Sequence, residues 1–434
     1  MLDWWKQRTR LFYGWWVVLA CTLGTTLSGG LYMYGFSTFF IPLIREFGWT
    51  RAELSGALSL ARLEGGLVGP LQGFMVDRLG PRLNAFLGVA LMGTGFIVIS
   101  RVGSLPTFYA AFIGLIALGS SSLFVVGSAS MAYWFIKKRS LVMGINTAGF
   151  NLGGMMAPLI ALLISLLGWR QASFLLGFVA YLFAIPILLL LRDRPEKYGY
   201  LPDGEQLERA VLGADRTSVA KGANVAEVNF LPQEALRTRT FWCASTMFAL
   251  RVAVSSVIGI HLVPFFTDIG LAAELAASLL ALMAAIALPS RLMGGWLGDR
   301  WDKRYVMSGY LGITIIALIL LSRAASLGQA IAFILVYAPA YGGGGPLMPA
   351  MIAEYFGRRF FGTINGFAQG IMTFGTVLGP LFAGWVFDLT GSYRRAFLIL
   401  AFLCGIAIAL TLAVTRPRRP LPQPSSVSRE RLEP

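Results

Sequence analysis

The pair Asp77-Arg78 returns 222 residues later as Asp299-Arg300, and each copy follows a glycine four positions earlier, Gly73 and Gly295. Gly48 and Gly270, Tyr133 and Tyr355, Gly144 and Gly366, Gly153 and Gly375, and Pro158 and Pro380 keep the same offset. Colinear identities across half a chain mark two parallel copies of one structural unit. Whatever this chain folds into is expected to be built twice.

The repeated unit is a membrane bundle. Hydrophobic residues make up 56% of the 434, charged residues 13%, and the mean hydropathy is +0.69. A soluble domain carries roughly 25% charge. The apolar runs approach or exceed the ~20 residues a helix needs to cross a bilayer, and a helix satisfies its own backbone hydrogen bonds there. Twelve helices are predicted, near 13–43, 53–76, 83–101, 105–134, 141–166, 170–191, 240–267, 272–298, 305–322, 328–353, 361–386 and 396–415. The first run continues past signal-peptide length without a small-residue cleavage site, so it is expected to stay as the first span. Residues 192–239 carry Pro195, Pro202, Gly204, Gly213 and Gly222 among mixed charges, which predicts a linker with a short surface helix around 203–212. The organisation expected is a bundle over 1–191, a linker over 192–239, a second bundle over 240–415, and a disordered Pro/Ser/Arg-rich tail over 416–434.

The net charge of +15 suggests nucleic acid only until it is mapped. Of the 36 Lys and Arg residues, 26 fall in the termini, the linker and the loops on their side, while the opposite loops hold only Arg45, Arg51, Arg101, Arg170, Arg323, Arg394 and Arg395. The positive-inside rule then places both termini and the linker in the cytoplasm, and no nucleic-acid partner is required. Cys21, Cys243 and Cys404 lie within predicted spans without metal-ligand spacing, and are expected to act as small apolar residues.

The loop pairs have a structural logic. An aspartate at a helix end can accept bonds from the N-terminus of a neighbouring helix. The adjacent Arg78 or Arg300 can reach carboxylates or lipid phosphates, and the glycines allow close approach. Asp77, Arg78, Asp299 and Arg300 are therefore candidate structural or gating residues.

At these residues the chain resembles the major facilitator superfamily: Gly73…Asp77-Arg78-Leu-Gly80…Arg82 is similar to its loop 2–3 signature, and Gly295…Asp299-Arg300 to the weaker second copy. Tyr13-Gly14-Trp15-Trp16-Val17 and the helix 5 segment Trp134-Phe135…Gly144…Gly149…Gly153 look like the monocarboxylate transporter family. The stretches from Arg192 to Gly204 and from His261 to Gly270 look like its bacterial relatives, including the oxalate–formate antiporter group. The resemblance implies two six-helix bundles around a central cavity working by alternating access. Helices 1, 4, 7 and 10 would line the cavity, and 3, 6, 9 and 12 would lie outermost.

Charges inside a span cost roughly 2.5–3.5 kcal/mol each on insertion scales and so mark function or a partner. They occur at Arg62 and Glu64 in helix 2, Arg251 in helix 7 and Arg291 in helix 8. Arg291 precedes Asp299 by eight residues, about 12 Å of helix. A guanidinium stays charged and offers paired donors to a carboxylate. In monocarboxylate transporters a helix 8 arginine four residues before the loop glycine is implicated in substrate binding, and Arg291 stands four before Gly295. The chain departs from that family where its animal members have an aspartate four residues before this arginine, since Ala287 stands there, and where they have a helix 1 lysine, nearest Tyr34. It also has no lysine in 361–386, unlike the oxalate antiporter.

Arg62 and Glu64 are two apart, so they diverge on the helix and do not pair with each other. Glu64 and the single histidine, His261, are candidate proton carriers. The bland alternatives are an ion pair of Glu64 with Arg251 or Arg291, and a hydrogen-bonded helix-end role for His261. Tyr32, Tyr34, Asn146, Tyr341 and Gln369, with Arg251, are candidate substrate contacts, and the Gly342–Gly345 run before Pro346 is expected to bend helix 10.

The expectation is an all-α integral membrane transporter of the inner (plasma) membrane, working as a monomer in lipid. It would move small monocarboxylates such as lactate or pyruvate with a proton, with no cofactor or metal. Exchange of dicarboxylates such as oxalate, with formate, is the second reading, and a non-transporting sensor the third. No nucleophile–base set or phosphate loop points to an enzyme.

Overall fold

The computed structural model describes residues 12–204 and 229–417. Most of the expected surface helix (203–212) and of the expected disordered tail (416–434) falls outside these residues; 202–204 form a single tight turn.

The described chain forms twelve long helices in two bundles of six. The first bundle is α1 (Gly14–Phe47), α2 (Arg51–Leu79), α3 (Pro81–Ile99), α4 (Leu105–Trp134), α5 (Arg139–Leu167) and α6 (Trp169–Leu190). The second is α7 (Arg239–Asp268), α8 (Ala273–Arg300), α9 (Lys303–Ser322), α10 (Leu327–Phe356), α11 (Phe361–Thr390) and α12 (Arg394–Ala413). Eleven are long and apolar enough to cross a membrane by length and composition. The remaining one, α2, carries Arg51, Glu53, Arg62, Glu64, Asp77 and Arg78.

Several helices outrun their apolar cores because local chemistry, not lipid, sets their ends. Helix α2 starts early at a reciprocal cap: the Glu53 amide donates to Thr50 Oγ1 (3.1 Å), and the Thr50 amide donates to Glu53 Oε2 (2.7 Å). Gly48 and Gly270, a pair related by the repeat, end α1 and α7 with φ of 69° and 92°, in the left-handed region.

Regular helix fails where the sequence is rich in glycine. Helix α1 passes through a wide π-helical stretch at Ser28–Tyr34, α5 is interrupted at Met155-Met156, and α10 is interrupted between Gly343 and Leu347, as the glycine run before Pro346 predicted. Such interruptions free backbone groups and let helices bend inside a bundle.

The two ends of the described chain lie on one face. The Tyr13 hydroxyl donates to the Leu190 carbonyl at the end of α6 (3.0 Å), and the Thr240 hydroxyl donates to the Thr415 carbonyl beyond α12 (2.7 Å). On this terminal face the halves are joined twice, by the same device. Asp77, ending α2, accepts the Gly362 and Thr363 amides (2.9 and 2.7 Å), the Thr363 hydroxyl (2.7 Å) and the Tyr133 hydroxyl (2.7 Å). Asp299, ending α8, accepts the Ser140 and Leu141 amides (2.7 and 2.9 Å). Ser140 and Leu141 open α5 at the same 222-residue offset from Gly362 and Thr363 that separates the aspartates. Each half therefore supplies a carboxylate to the N-terminus of a helix in the other, where unpaired amides and the helix dipole favour negative charge.

Glycines set the spacing behind these joints. A Cβ on Gly73 would run into the Gly362 backbone, and one on Gly295 into Ser140 and Leu141. Away from the terminal face, the outer part of α5 (Ala157–Leu167) packs on α1 and α6 of its own half. The structure is thus sealed on the terminal side.

Asp77→Asn should loosen that seal. Hydrogen bonds to a charged group contribute about 1.5–3 kcal/mol each, so removing the charge should move the closed-to-open ratio by tenfold or more. Spin labels at the exposed Ile136 and Trp301, on opposite halves, would report a longer and broader distance distribution. Asp299→Asn, with fewer bonds to lose, should move it less. An unchanged distribution in both variants would remove the joints as the closing element.

Candidate substrate site

Two of the charges inside the bundle, Arg251 and Arg291, come together around the break in α10. Arg251, from the middle of α7, donates from Nη2 to the Tyr341 carbonyl (2.7 Å). Arg291, from α8, holds its guanidinium carbon 5.9 Å from the centre of the Tyr341 ring, and its Nε is buried without a hydrogen-bond partner among the described residues. The glycine run makes this arrangement possible: a side chain on Gly344 would collide with the Arg251 guanidinium, and one on Gly345 would touch Arg291. The bend in α10 and the room for two cations are one feature.

Neither guanidinium has an acidic partner among the described residues. Two uncompensated cations within electrostatic reach of each other in a low-dielectric bundle form a strong anion-attracting locus. Tyr34 reaches the same locus from the other half, within electrostatic reach of Arg291. Its ring lies beside Gly154 of α5.

Glu64 stands on the first-half side. Both carboxylate oxygens are buried and accept no hydrogen bond among the described residues. The expected alternative, an ion pair with Arg251 or Arg291, does not form, because those side chains turn toward α10 and Tyr341. Arg62 points elsewhere and is exposed, as two-residue spacing on a helix requires, and Tyr32 lies within reach of both charges. Glu64 precedes by two residues Gly66, where α2 crosses Thr373 of α11.

Two candidates, the substrate contact Asn146 and the proton carrier His261, fall outside the cluster. Asn146 is 1% exposed, wedged against Gly127 of α4, so it does not line an open cavity in this conformation. The cause is local: α5 is drawn against α4 and α1 here, and the Asn146 carbonyl accepts the Thr25 hydroxyl of α1 (2.7 Å). His261 lies near the far end of α7 with both ring nitrogens occupied, by the Tyr393 hydroxyl (3.2 Å) and the Pro380 carbonyl (3.1 Å). It ties α7 to α11 and to the turn before α12, away from the arginines. Gln369 is half-buried on α11 with no hydrogen bond on its amide among the described residues.

At the loops, Asp77 and Asp299 make the joints already described. Arg78 and Arg300 form no ion pair among the described residues and lie over the rings of Phe74 (5.6 Å) and Trp296 (4.1 Å). Sequence reasoning missed Thr363, Ser140 and the Tyr133 hydroxyl as partners of the aspartates. The 222-residue offset does not reach the hydroxyls, because it maps Ser140 onto Gly362 and Thr363 onto Leu141.

The sequence matches the Major Facilitator Superfamily over residues 18–338 and over 262–433. It is 26% identical over 426 residues to the oxalate:formate antiporter of Oxalobacter formigenes, covering 97% of this chain and 95% of that protein. It is 27% identical over 417 residues to monocarboxylate transporter 12 of Mus musculus, covering 91% and 83%. Among solved structures, the human organic anion transporter MFSD10 (TETRAN) superposes with a TM-score of 0.70 at 17% identity, covering 92% of this chain and 99% of that one. A variant of the E. coli fucose:proton symporter FucP superposes with a TM-score of 0.67 at 16% identity, covering 92% and 98%. At such identities the structural likeness concerns the fold, which is the two-bundle, twelve-helix arrangement described above. The chain belongs to the Major Facilitator Superfamily and is a membrane transporter, not an enzyme.

Proposed function

We propose that this protein is a secondary active transporter of small monocarboxylates of the lactate or pyruvate kind, coupled to a proton and working by alternating access. The observation that carries this reading is the pair Arg251 and Arg291, two intramembrane guanidiniums around one tyrosine with no acidic partner among the described residues. A carboxylate is the ligand whose geometry and charge match a free guanidinium fork. The sequence relatives are named for carrying oxalate, formate and monocarboxylates, all small carboxylate anions. Glu64 supplies a carboxyl group in the span with no fixed counter-charge, a suitable proton carrier beside the crossing of the two halves. The excess of Lys and Arg on the terminal side supports an inner-membrane orientation with both termini in the cytoplasm.

A second reading is anion exchange, including dicarboxylates. It is favoured by the same two cations, which together match a doubly charged anion, and by the oxalate:formate antiporter relative. Uptake into proteoliposomes separates the two. Under the first reading, lactate or pyruvate accumulates in response to an imposed inward proton gradient. Under the second, uptake needs anion loaded on the far side and ignores the gradient.

Arg291→Ala should cut carboxylate uptake about 10- to 150-fold, the cost of a lost hydrogen-bonded charge contact. Arg291→Lys should recover only part, because an ammonium lacks the planar fork. Unchanged uptake in a well-folded Arg291→Ala protein would remove this arginine from the site. Gly344→Ala should impair uptake as well, by displacing the Arg251 guanidinium, while leaving solubilised yield near wild type; full activity would show that the glycine serves only the bend.

Glu64→Gln should abolish accumulation driven by a proton gradient while sparing exchange of carboxylate at equal concentrations across the membrane. Loss of both activities equally would assign Glu64 to packing instead of proton transfer.

A further inference from the structure

A second charged site lies on the terminal face, outside the central cluster. A cavity of about 580 Å³ opens where the loop after α2, the start of the linker and the loop before α11 meet. Its charged lining is Arg78, Arg194, Lys197 and Arg359 against Asp77 and Asp193, and Phe74 and Phe360 form an apolar edge. We propose that this cavity binds the phosphate headgroup of an anionic phospholipid, and that the occupied site holds the terminal face closed.

The acids compensate Lys197 and leave the three arginines without a carboxylate among the described residues. Asp77 is saturated by the amides of α11 and by two hydroxyls. Asp193 accepts the Arg82 amide (3.3 Å) and Lys197 Nζ (3.1 Å). That leaves Arg78, Arg194 and Arg359 without a carboxylate partner among the described residues. Arg78 lies over Phe74 (5.6 Å), Arg194 over Tyr133 (4.8 Å) and Arg359 over Phe360 (5.3 Å). Arg194 also donates to the Arg359 carbonyl (2.9 Å). Stacked guanidiniums keep donors free, and three around one cavity suit a phosphate.

Position selects an amphiphile over a free ion. Helix α2 ends at Leu79 and α11 begins at Phe361, so the cavity lies at the terminal-face ends of both helices. Phe74 is 47% exposed on its lip and offers acyl chains a surface beside the headgroup. Gly80 shapes the floor: its φ of 88° and the Asp193 carboxylate against its α-carbon exclude a side chain there.

The cavity is divided between the halves. Arg78 and Arg194 belong to the first half and its linker, while Arg359 and Phe360 precede α11 of the second. A headgroup touching both sets binds only while the Asp77 joint is made. It therefore shifts the population toward the closed terminal face by its differential affinity for that state.

The test uses the full-length protein. Native mass spectrometry would compare retention of phosphatidylglycerol, phosphatidylcholine and inorganic phosphate by wild type, by the Arg78→Gln/Arg194→Gln/Arg359→Gln variant and by the matching Arg→Lys variant. We expect phosphatidylglycerol to be retained over phosphatidylcholine by wild type and the lysine variant, with about a fivefold loss for each arginine removed. In nanodiscs, labels at Ile136 and Trp301 should report more closed protein with phosphatidylglycerol than with phosphatidylcholine, in wild type but not in the glutamine variant. Equal retention of both lipids, or undiminished phosphatidylglycerol on a folded glutamine variant, would overturn the site. Displacement of lipid by inorganic phosphate at matching concentration would overturn the lipid assignment in favour of a soluble phosphate. Lipid binding without any change in label distance would overturn the coupling to closure.

Discussion

A carboxylate ending one helix and bonded to the first amides of a helix in the other half is the interaction on which the rest of the structure depends. Asp77 and Asp299 each satisfy amides that a helix N-terminus must leave open, at α11 and α5. Little apolar driving force favours one helix contact over a lipid contact within a bilayer, so polar bonds and close backbone approach carry more of the specificity. The joints lie where Gly73 meets Gly362 and Gly295 meets Ser140, which brings the carboxylates within bonding distance. They are also few and local, which would suit the parting of the halves that the proposed function requires.

The two joints are unequal, and the inequality is chemical. Asp77 gains the Thr363 and Tyr133 hydroxyls, and its neighbourhood adds an ion pair between Arg358 and Glu196 (2.6 Å) that ties the loop before α11 to the linker. Around Asp299 the loop diverges: Asp302 stands where the first copy has Gly80, and it caps α9 by accepting the Arg304 amide (2.9 Å). That carboxylate is held below its ordinary range chiefly by the Arg304 side chain it binds. One loop has kept a tight glycine turn and a basic cavity beside it. The other has used the same position to start its own next helix.

Twelve spans and their duplication were legible because each rests on a property read one residue at a time: apolar length for the spans, identity at fixed offset for the repeat. The joints were half legible. The aspartates stood out, but their acceptor role toward the opposite half needed the tertiary arrangement. The intramembrane arginines were visible as misplaced charge, and their shared neighbour Tyr341 was already a candidate. What could not be read was direction. Glu64 offered two arginines as partners, and both turn to α10 because the Gly344 and Gly345 positions leave room for them there. Asn146 was on an expected lining helix, yet it faces Gly127 and not the central space. A helix number places a residue on an element; the rotation of that element is fixed by its small-residue contacts, which are pairwise and long-range.

Those contacts also connect the central site to the joints. Gly144 of α5 packs against the Arg291 carbonyl of α8, and Gly295, one turn further along α8, packs against the helix start that Asp299 holds. Gly66, just past Glu64, meets Thr373 of α11, whose first amides bind Asp77. Arg291 and Glu64 thus each lie on the same helix as a joint, within a few turns of it, and against the same helix across the interface. Helices are stiff over that distance. Under the proposed function, an anion drawing on Arg291, or a proton arriving at Glu64, would act on α8 or α2 at the crossing about which the halves would rock, and its effect on the seal would follow from shared geometry without a separate relay.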